Sequence, residues 1–282
     1  VRKWLVERLT APEIASSAPA HLRGKCAETV AEVARLDWPE QWPELVFALQ
    51  AGCASQSAAH AMLALSTWRH LSELPAQESK DITPARRTAL NTALLKVLQE
   101  PPEAPVLISG LEEALRQHGS DKRLVGEALG LCRALGSALP VQKLLARGLD
   151  RIIFVGLADC ELRDSAMMVV ADWVEGLLPA TAEPEASSQA LADVCRFTCQ
   201  LSQASRTCLF DGDTVNTAFH RHVAQVLSDM CSANASGFVQ RMQTTELGAI
   251  WQCLLHFLRY PSQKVQVDAL AGMCQLMWSK SG

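Results

Sequence analysis

The chain has 282 residues, 49% of them hydrophobic, so it can bury a substantial core. A single tyrosine leaves the β-forming residues thin while Ala and Leu abound, which argues against a sheet-built fold. The net charge of −4, with basic clusters no longer than Arg2-Lys3, Arg86-Arg87 and Lys122-Arg123, excludes an autonomous nucleic-acid-binding domain, which would be strongly basic.

Helical periodicity begins at once and recurs along most of the chain. A first amphipathic helix runs to about residue 9, and Pro12 and Pro19 bracket the loop after it. Residues 20–36 form the second helix, with Leu22, Cys26, Val30, Val33 and Leu36 at helical spacing. Then comes Trp38-Pro39-Glu40-Gln41-Trp42-Pro43-Glu44-Leu45. A residue before proline is pushed out of the α region, and proline itself suits the first turn of a helix, where its missing N–H has no partner to lose. The stretch therefore predicts a helix ending near Asp37, another starting near Pro43, and two indoles clamped in the joint. That third helix covers 43–50, and a fourth covers 57–71.

After a polar loop at 75–83, Thr83 is the expected N-cap and Pro84 the first residue of a helix ending near Gln99. Glu100-Pro101-Pro102-Glu103 breaks the pattern, a helix follows to about His118, and Gly119-Ser120-Asp121 caps 122–138. Pro140 restarts the chain. Residues 144–155 are nearly continuous apolar sequence and predict one fully buried helix; 160–178 continues. Residues 179–188 are the most linker-like stretch, and four further helices are expected at 189–203, 214–233, 238–259 and 262–280.

The predicted class is all-α. About a dozen helices on short loops suit a superhelix of stacked pairs better than a closed bundle, which stays the alternative. A HEAT array, with its ~40–47-residue repeat, would fit about six units into this length. Internal identity between units is faint, as expected when each repeat needs only an apolar face for its neighbour.

Ten cysteines would allow a disulfide framework, yet Cys26, Cys132, Cys195, Cys231, Cys253 and Cys274 sit among apolar residues on helical stretches. There is no CxxC, and Cys195 and Cys199 are one turn apart without further zinc ligands, so reduced thiols are expected. No apolar run reaches the ~18 residues of a membrane span, and no signal peptide is recognisable. The open start at Val1 and the apolar approach to Gly282 suggest a piece of something longer.

No set of residues assembles a catalytic, cofactor or metal site. His220 and His222 point about 200° apart on a helix, so they read as surface residues rather than as ligands of one ion. Asp211-Gly212-Asp213 lacks the later ligands of a calcium loop and reads as a turn. No phosphate-cradling glycine loop or nucleophile elbow is present. Met167-Met168, near Val169, Val170 and Trp173, reads as core in preference to an adaptable binding surface.

The form WPxxWPxL, carried here by Trp38, Pro39, Trp42, Pro43 and Leu45 after an amphipathic helix, resembles the signature near the N-terminus of exportins, members of the importin-β superfamily of nuclear transport receptors. The run from Thr83 through Pro84, Arg86 and Arg87 to Leu90 resembles a helix start in the exportin-5 branch, which includes plant Hasty. The stretch from Phe257 through Tyr260 and Pro261 to Gln263, with Trp278 a helix later, resembles a further part of that branch; between these motifs only the helical rhythm matches.

The resemblance implies a HEAT-like α-solenoid in which residues 1–282 are one N-terminal segment of a longer, right-handed superhelical array, with at most a minor break near 179–188. It implies a receptor that binds the small GTPase Ran in its GTP form together with cargo, structured RNA or protein. Such a receptor shuttles between nucleus and cytoplasm by way of nuclear pore proteins. Arg86, Arg87, Lys122 and Arg123 are the candidate contacts to a partner or to RNA phosphate, with solvated helix ends as the plainer reading. A static HEAT scaffold is the rival within the same fold. An all-α enzyme is the rival outside it.

Overall fold

The computed structural model describes residues 4–5, 17–76, 82–101, 105–182, 196–197, 200, 221, 223–225, 227–228, 244–260 and 262–279. Among these residues every regular element is a helix. The chain divides into two compact units, Val1–Leu139 and Pro140–Gly282.

In the first unit α1 spans Ala20–Asp37, α2 Glu44–Cys53, α3 Ala58–Glu73, α4 Pro84–Gln99, α5 Val106–His118 and α6 Lys122–Ala138; a 3-10 turn, Leu74–Ala76, follows α3. These bounds agree closely with the periodicity, and the caps explain why. Ser57 accepts a hydrogen bond from the His60 amide, Thr83 from the Arg86 amide, and Asp121 from the Arg123 amide. Each satisfies one of the N–H groups that a helix leaves open at its start. Pro84 occupies the first turn of α4, as expected.

The unit is a HEAT-like stack of antiparallel helix pairs in two layers. In one layer α1 packs on α3 and α3 on α6; in the other α2 packs on α5. The pairs α2–α3 and α5–α6 join the layers, and α4 lies against α5 and the 3-10 turn. The buried face of α1 is built from Ala27, Val30, Ala31 and Ala34, small side chains that let α3 approach closely. Between α2 and α5 the approach is also close: a Cβ on Gly110 would stand 3.3 Å from Cys53 Cβ. Polar bonds fix the register of that pair. Gln50 Nε2 donates to Ser109 Oγ over 3.1 Å, and Gln117 Nε2 donates to the Ala54 carbonyl over 3.2 Å.

In the second unit α7 spans Val141–Leu145, α8 Asp150–Ala158, α9 Arg163–Ala182, α10 Thr244–Phe257 and α11 Gln263–Ser279. Helix α9 packs against α7 and α8, and α10 packs against α11. Phe197 is fully buried beside Phe154 and Trp173, with ring centroids 5.9 and 6.3 Å away. Asp150 is buried at the start of α8, where Arg196 approaches its carboxylate at 3.7 Å and also donates to the Leu145 carbonyl.

Three expectations are corrected here. The apolar run 144–155 is not one buried helix: Gly148, at φ +73, turns the chain between α7 and α8, and Val155 is 51% exposed. Apolar composition carried no sign of that turn, which a left-handed glycine makes without steric cost. Met168 is half exposed, whereas Met167, Val169, Val170 and Trp173 are core. Helix α9 runs on through Pro179 to Ala182, so the linker-like stretch begins inside a helix. Most of 189–203 and 214–233, together with His220, His222 and residues 211–213, lies outside the described residues.

Candidate functional site: the double-tryptophan corner and its groove

The two Trp-Pro pairs fold as a corner between α1 and α2. The Trp38 amide closes α1 by donating to the Ala34 carbonyl at 2.9 Å, and the Gln41 amide donates to the Asp37 carbonyl at 2.7 Å. The Trp38-Pro39 and Glu100-Pro101 peptide bonds are cis. Trp38 and Trp42 are each 1% exposed and Leu45 is fully buried, so these signature residues form the core of the corner. The Trp38 indole Nε1 is buried without a hydrogen-bond partner among the described residues.

Arg86 reaches this corner from the first turn of α4. Its Nε donates to the Arg35 carbonyl at 2.7 Å, and its Nη2 donates to the Ala34 carbonyl at 3.2 Å and to the Trp38 carbonyl. Nη1 pairs with Glu40 Oε2 at 2.8 Å. Pro39 has no N–H to give the Arg35 carbonyl, the Ala34 carbonyl keeps a second lone pair beside its bond from Trp38, and both lie at the negative end of the helix dipole, so a guanidinium fork suits them. The Glu40 carboxyl is held below the usual carboxylate range, first by its own backbone amide and then by Arg86.

Beside the corner lies an apolar groove of about 670 Å³. Trp38, Pro39 and Pro43 form one wall with Val46 and Phe47 of α2; Ala93, Lys96 and Val97 of α4 form the other, with Pro101 and Val106 at one end. Phe47, 66% exposed, projects from the face of α2 opposite the buried Leu45 and Leu49. On the rim Lys96 and Glu100 approach each other at 3.8 Å. The lining holds apolar contact surface and no converging set of ionisable groups, so the groove is suited to binding rather than to bond-making chemistry.

The other candidate residues are distributed as follows. Arg87 is half-buried on α4. Lys122 and Arg123 stand exposed in the first turn of α6 and belong to neither the corner nor the groove. Arg86, read from sequence as a phosphate contact or a solvated helix end, has its guanidinium turned onto the corner, its side chain only 19% exposed. The helical period does flag Phe47, which falls off the apolar stripe of α2; the groove behind it joins residues some fifty positions apart, and no local pattern announces it.

In the other layer an ionic ladder crosses from α3 to α6. Arg69 lies 3.0 Å from Glu127 and 4.0 Å from Glu73, and His70 Nδ1 is 3.1 Å from Glu73. The His70 hydrogen bond is the main reason that the Glu73 carboxyl is held below its ordinary range. Among the described residues no group of three or more His, Cys, Asp or Glu side chains stands ready for a metal ion. Nor is any helix there long and apolar enough to cross a membrane. The described cysteines Cys26, Cys53, Cys132, Cys160, Cys253 and Cys274 are thiols that form no disulfide.

A comparison with curated proteins returned no match. A family model described as exportin 1-like protein matches residues 19–170, more than half of the chain. That span takes in α1 to α6, the tryptophan corner, Arg86 and the groove, and continues through α7 and α8 into α9. With all-helical, HEAT-like stacking beneath the matched residues, this chain belongs to the exportin 1-like family of the importin-β superfamily, a family of non-enzymatic nuclear transport receptors.

Proposed function

We propose that this chain is part of an export receptor that takes up Ran in its GTP form together with cargo and shuttles between nucleus and cytoplasm by way of nuclear pore proteins. The observation that carries this reading is the exportin 1-like match, which falls on the two-layer stack and its tryptophan corner. A stack of helix pairs presents long surfaces that two partners can share, and small rotations between neighbouring pairs sum into a change of curvature. If Ran-GTP and cargo favour the same curvature, each improves the other's binding, by roughly 5–150-fold in typical coupled systems.

Within the superfamily we assign the chain to the exportin-5 branch, with structured RNA as its cargo class. The support is the resemblance of the Thr83–Leu90 helix start and of the 257–263 stretch. The first of these is also the segment whose Arg86 grips the tryptophan corner, so the two resembling motifs of the first unit act as one structural piece. Of the cations considered for phosphate, Lys122 and Arg123 are exposed in the first turn of α6, and the Arg86 guanidinium donates to the corner carbonyls.

The test is the affinity of the purified protein for Ran loaded with GTP and with GDP, with and without hairpin RNA. A GTP preference that RNA enhances supports the proposal in full. A GTP preference indifferent to RNA keeps the receptor and reassigns the cargo to protein. Equal, negligible binding of both nucleotide forms overturns the receptor reading in favour of a HEAT scaffold without Ran dependence.

A further inference from the structure

We propose that Arg86 is a positioning residue that sets the width of the apolar groove by fixing the tilt of α4 against the end of α1. Its guanidinium takes three main-chain carbonyls, those of Ala34, Arg35 and Trp38, and the Glu40 carboxylate. A planar fork held by four acceptors defines an orientation as well as a distance, which a lysine ammonium on a flexible stem cannot do. The helix that carries this fork also carries a wall of the groove. Ala93, Lys96 and Val97 lie on α4 beyond Arg86 and face the Trp38 and Pro39 wall, which the same fork holds through the Trp38 carbonyl.

The lever is long enough to matter. At 1.5 Å per residue, Val97 stands about 16 Å along the helix from Arg86, so a tilt of roughly 10° about the fork moves it by about 3 Å. A displacement of that size is comparable to the width of an aliphatic side chain, enough to narrow or widen a groove of about 670 Å³. The principal packing neighbours of α4 are α5 and the 3-10 turn, so the fork supplies a tie to α1 in a direction that this packing does not. Any movement of the end of α1 is thereby passed to the groove wall, whatever the groove binds.

Hydroxyl-radical footprinting of the whole chain tests this, because it reads side-chain accessibility residue by residue. Trp38 and Val97 report on the two walls, and Trp68, 1% exposed within α3, is the internal control. In Arg86→Ala the oxidation of both Trp38 and Val97 is expected to rise several-fold while Trp68 stays at its wild-type rate. Arg86→Lys, which keeps the charge but not the fork, is expected to show the same pattern at smaller amplitude, and it decides the matter if the alanine variant does not fold. A rise at Trp38 with Val97 unchanged would overturn the proposal and leave Arg86 as a local helix cap. An equal rise at Trp38, Val97 and Trp68 would overturn it too, by showing a general loss of structure.

Discussion

Replacing Trp42 by alanine tests whether the double-tryptophan signature is core or contact surface. The indole is 1% exposed at the corner, next to the fully buried Leu45. A tryptophan buries about 150–250 Å² on folding, and at about 25 cal/mol per Å² this amounts to about 4–6 kcal/mol as an upper bound. Large-to-small substitutions of buried aromatics cost about 3–5 kcal/mol, which agrees. A domain's whole stability is only about 5–15 kcal/mol, so Trp42→Ala should bring the first unit close to unfolding. With a urea slope of about 2 kcal/mol per M, the midpoint falls by about 2 M. The assay is urea denaturation read by hydrogen-exchange mass spectrometry, which follows residues of each unit separately. The loss should appear in α1 to α6 and spare α8 and α9. As a control, Phe47→Ala, at a side chain 66% exposed, should change stability by less than about 0.5 kcal/mol. A midpoint shift below about 0.5 M for Trp42→Ala would refute the assignment of this residue to the core.

Gly148 has φ +73 between α7 and α8, and a Cβ there would also stand 3.3 Å from Arg151 Nε; Gly148→Ala should destabilise the second unit by about 1–2 kcal/mol, measured by its thermal midpoint, and an unchanged midpoint would show that the turn relaxes. Burial pushes the Cys53 thiol up to about 12, so it stays protonated through the neutral range, and the thiolate is the reactive form. In the folded protein at pH 8, iodoacetamide should therefore modify the exposed Cys160 and leave Cys53 untouched, as counted by peptide mass spectrometry. Rapid labelling of Cys53 would mean that the α2–α5 interface opens readily.

The helices of the first unit could be read directly from the sequence because their determinants are local. Thr83, Pro84 and Asp121 act within three residues of themselves, and the 3.6-residue period marks the face that each helix must bury. The corner was legible for the same reason, since proline restricts its own φ and the conformation of the residue before it. The run 144–155 misleads because composition reports burial and says little about direction. A turn at 146–149, with left-handed backbone at Gly148, separates α7 from α8 there.

What the sequence determined by itself was the helical class, the caps, the position of the corner and, through WPxxWPxL, the family resemblance. Tertiary structure alone decided the work of Arg86, whose acceptors lie 46–52 residues away, and the groove, whose walls come from helices with no shared local pattern. An arginine at a helix start looks solvated in a one-dimensional reading, because nothing near it in sequence offers it an acceptor. Folding brings α4 beside the carbonyls at the end of α1, where Pro39 has no N–H for the Arg35 carbonyl and the negative end of the helix dipole draws the guanidinium inward.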